Sequence, residues 1–203
     1  MLFTRKQVQT HYDRNLRRDL TGVMDPDGVL NGQAREGLGD LSFGFSRVGR
    51  AGCESIAVYN ALLMLRRPRP LAEVIRDMER GGYLRWGGHL GAAPYLRPLL
   101  RRYGAASRMI GPAALQRSAD NRELTPGAVF LMAIWNKRFL PQKGLHTFAA
   151  QYDPAPEGDW LVFNRFNSDA AGRRYDRLAD ILRNGSERGA FLVIYRVYPL
   201  DVR

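Results

Sequence analysis

The chain of 203 residues contains a single cysteine, Cys53. An intrachain disulfide is therefore excluded, and so is a zinc site built on several thiolates. A reducing compartment is the expected setting. Long apolar runs are also missing: no stretch approaches the ~18 residues that a membrane-spanning helix needs. The opening MLFTRKQVQTHYDR carries no apolar block after its basic residues, so no secretory signal is expected. Lysine is scarce, with only Lys6, Lys137 and Lys143. Blocks of five or six like charges, internal repeats and low-complexity tracts are absent as well.

What is present has ordinary globular proportions, 45% hydrophobic and 25% charged. The length suits one domain with a substantial core. Lys and Arg number 31 against 20 Asp and Glu, a net charge of +11 made almost wholly of arginine. Such an excess suits phosphate contact, and an arginine-favouring genome gives the same excess. The cations are scattered in pairs (Arg17-Arg18, Arg66-Arg67, Arg101-Arg102, Arg173-Arg174), and no zinc-finger or aromatic-basic RNA motif accompanies them. Direct nucleic-acid binding is therefore not expected.

Residues 1–40 read as a polar, Arg-rich N-terminal extension, partly ordered, with a short helix near Gln7–Leu20 and a turn at Asp25-Pro26-Asp27-Gly28. The Gly-rich loop 41–52 leads into Cys53–Leu65, apolar on nearly every face and stopped before Pro68, which reads as a buried helix. Leu71, Val74, Ile75 and Met78 give an amphipathic helix over 71–80. A third helix is expected from Pro94 to Tyr103, despite Pro98, and a short one near Pro112. The second half changes character: Gly127–Trp135, Leu145–Tyr152, Trp160–Phe166 and Gly189–Tyr198 read as strands, with a helix over Arg174–Leu182. Helices first and strands later indicate an α+β domain.

Cys53 follows Gly52 at the start of a strongly marked helix. Free N–H groups and the helix dipole favour a thiolate there, and Gly52 leaves the sulfur approachable. The dipole supplies ~1–2 kcal/mol, whereas lowering a thiol by three pH units needs about 4 kcal/mol. A cationic partner is therefore required, and an imidazolium is the usual one. Of the three histidines, His11 reads as solvated surface and His89 sits in a Gly-rich loop. His146 opens a strand after Gly144, and Asn164 lies on the following strand in VFNRFN, where its amide is able to orient the imidazole. Each residue also has a structural reading: Cys53 as a small buried hydrophobe, His146 as a core histidine, Asn164 as a turn cap.

The order Cys, His, Asn, on helix start, strand and adjacent strand, resembles the papain-like cysteine peptidases. The stretch GRAGCESIAVYNALLMLRRP is closest to the bacterial double-glycine leader peptidases and related papain-like toxin effectors. WGGHLGAAPYLRPLLRRYG and LHTFAAQYDPAPEGDWLVFNRFN extend the resemblance over roughly residues 38–198. It implies a papain-like domain over residues 41–203: an N-terminal helical half carrying the Cys helix, packed on a C-terminal antiparallel sheet carrying His and Asn. It implies Cys53 as nucleophile, His146 as general base and acid, and Asn164 as orienting residue, with Asn167 and Asp153 as rivals. Gly52, Trp86 and Gly144 are the candidate cleft residues. The family places a Gln about six residues before its cysteine as oxyanion donor. Arg47 stands there, and Gln33 would need a special loop path.

The implied substrate is a protein or peptide, cut after paired glycines, with no cofactor and no metal. A toxin delivered into a target cell's cytoplasm and neutralised by an immunity protein fits the same reading, as does a cytoplasmic housekeeping peptidase. A deamidase, amidase or acyltransferase on this fold, and a non-catalytic basic binding module, are the alternatives.

Overall fold

Helical spacing in the first half and two-faced apolar strands in the second build two unlike layers. The structure, a computed structural model, describes residues 4–81, 93–115, 122–136, 144–184 and 187–200. The helices are α1 (Arg5–Leu16), α2 (Val48–Ala51), α3 (Cys53–Met64), α4 (Leu71–Arg80), α5 (Ala93–Arg102) and α6 (Pro112–Leu115). The strands are β1 (Ser42–Phe43), β2 (Ser46–Arg47), β3 (Ala105–Ile110), β4 (Ala128–Trp135), β5 (Leu145–Tyr152), β6 (Trp160–Phe163), β7 (Arg173–Tyr175), β8 (Arg183–Asn184), β9 (Glu187–Arg188) and β10 (Ala190–Pro199). Six of them form one antiparallel sheet in the order β3-β10-β4-β5-β6-β7, and β1-β2 and β8-β9 are small hairpins. The architecture is mixed α+β. Among the described residues no helix is long and apolar enough to cross a membrane.

Strand alternation assigns the sheet two buried faces. Val129 and Leu131 of β4, Ala149 of β5 and Tyr195 and Val197 of β10 join the helices in one core. Phe130, Met132 and Ile134, Phe148 and Ala150, and Ile194 turn the other way, onto Leu178, Ile181 and Leu182. A strand buried on both faces is apolar almost throughout, which is why β4 reads AVFLMAIW. α4 is one-sided, and its Leu71, Val74, Ile75 and Met78 enter the helical core.

Three expectations change. Residues 174–182 hold no α-helix: β7 occupies Arg173–Tyr175, and a single 3-10 turn covers Asp180–Leu182. The apolar spacing of Leu178, Ile181 and Leu182 is that of a loop plugging the second core. Ala105–Ile110, not expected as a strand, pairs along β10 as the sheet's edge. The N-terminal forty residues are an integral part of the domain from Thr4 onward. Thr4 and Gln7 form a reciprocal capping box on α1, and Val23, Leu30 and Leu38 lie in the helical core.

Residues 30–34 form a strap between the two layers. Asn60 of α3 accepts from the Leu30 N–H at 2.9 Å and donates to the Leu30 carbonyl at 2.8 Å. Ala34 N–H reaches the Asn167 carbonyl at 3.1 Å. Between them Gly32, at φ +65°, lets the strap lie against the main chain at Asp169, where a Cβ would meet the carbonyl oxygen at 2.3 Å. Gly32→Ala therefore combines a left-handed alanine with a backbone clash. It is expected to lower stability by ~2–4 kcal/mol in urea denaturation, far more than Gly22→Ala, whose Cβ meets nothing.

Candidate active site

The site begins where β6 stops short. β5 pairs with β4 over its whole length, from Leu145 to Tyr152, but with β6 only from Ala149 to Tyr152. The chain leaves the sheet at Asn164, a non-glycine residue at φ 56°. Asparagine tolerates this conformation better than most residues. Arg165 then turns inward and is 1% exposed. Its Nε donates to the Ile181 carbonyl and its Nη1 to Asn136 Oδ1, both at 2.8 Å, and its guanidinium lies 4.5 Å from the Phe166 ring centre. Asp169 fastens the turn by accepting from Phe166 N–H at 2.8 Å and from Arg173 Nε at 2.7 Å.

The freed edge of β5 faces the start of α3. The main-chain N–H groups of Thr147, Glu54 and Cys53 itself lie close enough to the Cys53 sulfur to favour its charged form. Thr147 is the residue after His146. His146 shares the opposite face of β5 with Phe148, the ring centres 6.0 Å apart. Its Nε2 donates to the Asn164 main-chain carbonyl at 2.5 Å. With Nε2 holding the proton, Nδ1 is the basic nitrogen of the neutral ring. Cys53 thus lies near the main chain of Thr147, the residue after His146, and among the described residues no hydrogen bond joins the sulfur to the ring.

Asn164 does hold His146, but through its backbone. Its carboxamide Oδ1 accepts from the Gln33 N–H at 2.9 Å, and its own N–H donates to Asn31 Oδ1 at 2.8 Å. Neither rival reaches the ring. Asn167 is exposed and lends only its carbonyl, to Ala34. Asp153 lies past the far end of β5, paired with Arg174 at 2.5 Å. Gly52 has a packing role besides any steric opening: a Cβ there would meet Val48 Cα at 2.6 Å. Gly144 closes the start of β5, its carbonyl accepting from Asn136 N–H at 2.6 Å. Trp86 and His89 lie outside the described residues. His11 is half-buried rather than solvated, with Nδ1 2.8 Å from Glu79 Oε1. Gln33 is brought to the turn before Cys53 by the strap, and its Nε2 donates to the Gly49 carbonyl at 3.3 Å.

The electrostatics reverse the thiolate expectation. Burial, seconded by the Glu54 charge, pushes the Cys53 thiol up to about 12, and the three N–H groups offset only part of this. Burial also brings His146 down to about 4. Both shifts favour the neutral forms, a thiol at Cys53 and an uncharged imidazole at His146. His146 is buried, whereas Cys53 keeps partial exposure, and at both the desolvation outweighs what favours the charged form. No family model, curated protein or solved structure matches the chain.

Two pH effects follow. Iodoacetamide labelling of Cys53 in the folded chain is expected to be slow at pH 7 and to climb about tenfold per pH unit beyond pH 9. A plateau below pH 7 would show a held thiolate instead. Stability should fall as pH drops from the ordinary histidine value of 6.5 toward 4, because unfolding lets His146 take up a proton. On the other side, burial raises Glu54 from 4.5 to about 8, so its contribution falls as pH rises from 4.5. Glu54→Gln is therefore expected to stabilise the fold at pH 7 by about 3 kcal/mol in urea titrations, and to change little at pH 4.5.

Proposed function

We propose that the chain is a papain-like cysteine peptidase in which Cys53 is the nucleophile and His146 the base. One observation carries this reading: the helix that starts at the chain's only cysteine packs against β5, near Thr147, the neighbour in sequence of a histidine whose Nε2–H is fixed by a carbonyl. That tautomer leaves Nδ1 as the atom that takes a proton.

In the proposed cycle the Cys53 sulfur attacks the scissile carbonyl carbon as its proton passes to Nδ1 of His146. The oxyanion is held by the Cys53 N–H and by the second Nε2 proton of Gln33, the one not given to Gly49. Collapse breaks the C–N bond, and Nδ1–H protonates the departing amine. Water then attacks the thioester with His146 again as base, releasing the acid and restoring the thiol. Proton transfer coincides with attack, because the resting pair is neutral. A small substrate cross-section at the bond, as with paired glycines, suits a thiol that is only partly exposed.

The test is a Gly-Gly reporter peptide and a denatured protein mixture, each incubated with the full chain and read by mass spectrometry. Cleavage is expected, with a drop of at least a thousandfold in Cys53→Ala and His146→Ala and an acid limb near pH 4. Gains of about one dalton per site without chain cleavage would convert the reading to a deamidase. No covalent change in either substrate would refute it.

A further inference from the structure

We infer that Asn31 is a positioning residue for His146, acting through Asn164, and that the strap couples the Cys53 helix to the imidazole. The inference rests on the peptidase reading for its purpose but on geometry for its content. Asn60 lies two helical turns along α3 from Cys53, on the same side. It grips Leu30 by both main-chain groups, at 2.9 and 2.8 Å. The next residue, Asn31, takes the Asn164 N–H on its Oδ1 at 2.8 Å, and the Asn164 carbonyl takes His146 Nε2–H at 2.5 Å. A continuous run of bonds thus leads from the nucleophile's helix to the ring of the base.

The carboxamide orientations within this run are determined. The oxygens of Asn31, Asn60 and Asn164 each accept from a main-chain N–H, which has no second role to offer a flipped NH2 group. The consequence is costly. Asn31 Nδ2, Asn164 Nδ2 and Gln33 Oε1 are left buried without a protein partner. An apolar residue at 31 would avoid one of these orphans, but it would strip Asn164 N–H of its acceptor. The left-handed turn at 164 would then be held only by Gln33 N–H and the His146 ring itself, so the carbonyl that fixes the ring would lose its aim.

The test uses the full chain with 15N-labelled histidine, comparing the native chain with Asn31→Ala and Asn31→Asp, the latter retaining the acceptor. In the native chain the His146 ring should be a single Nε2–H tautomer. In folded Asn31→Ala it should become a mixture, with the ring pKa rising toward its ordinary value. Reporter cleavage should fall tenfold or more in kcat with KM unchanged. Asn31→Asp should restore the single tautomer. A merely stabilising asparagine would lower Tm without moving the tautomer, and that result overturns the inference. Should Asn31→Ala not fold, hydrogen exchange in the native chain decides. The Asn164 amide and the His146 Nε2–H should exchange at matching rates, and a freely exchanging ring proton beside a protected amide overturns the inference. The tautomer shift without any cleavage would refute the peptidase reading while upholding the coupling.

Discussion

The left-handed turn at Asn164 is the constraint on which the rest of the site depends. Because the chain leaves the sheet there, β6 ends four residues before the start of β5. An edge strand with unpaired N–H groups would ordinarily invite another strand. Here the start of α3 covers it, with Thr147 N–H near the Cys53 sulfur. The same turn aims the Asn164 carbonyl at His146 and sends Arg165 into the second core. One backbone conformation therefore sets the strand edge, the ring tautomer and the plug beneath it.

The polar groups around that turn are held mostly by main chain. Asn31, Asn60 and Asn164 spend their oxygens on N–H groups of segments far apart in sequence, and Gly32 removes the side chain that would keep the strap from lying flat. Buried networks of this sort add little net stability, since each bond replaces one to water, but they punish every alternative register in which a partner is lost.

Much of the fold was legible because burial periodicity is local. The one-sided α4, the all-apolar α3 and the two-faced β4 each carry their partners' geometry in their own spacing. The segment at 174–182 misled for the same reason: Leu178, Ile181 and Leu182 have helical spacing, yet Arg165 and the sheet face claim them as a loop. Cys53 and His146 stood out because their residue types are rare and their element starts are marked. The backbone role of Asn164 was not legible, since sequence names side chains and the atom in use is a carbonyl. Asn31 and Asn60 were invisible in this role, because nothing local to residue 31 or 60 says that an asparagine faces a partner over a hundred residues away in one case and thirty in the other.

The charge state of the site follows from the same enclosure. The helix start and the nearby N–H groups favour a thiolate. Between α3, β5 and the strap the desolvation of sulfur and ring outweighs them, and Glu54, itself forced toward its neutral form, adds to it. A neutral thiol has little tendency to react with passing electrophiles or oxidants. On the proposed peptidase reading, reaction waits for a substrate carbonyl between donors already in place, so that charge leaving the sulfur arrives on a held oxygen as the proton reaches Nδ1. On that reading the rate depends on how accurately the ring and the sulfur are aimed rather than on how acidic the thiol is, and the buried amides that hold the Asn164 carbonyl would serve that aim.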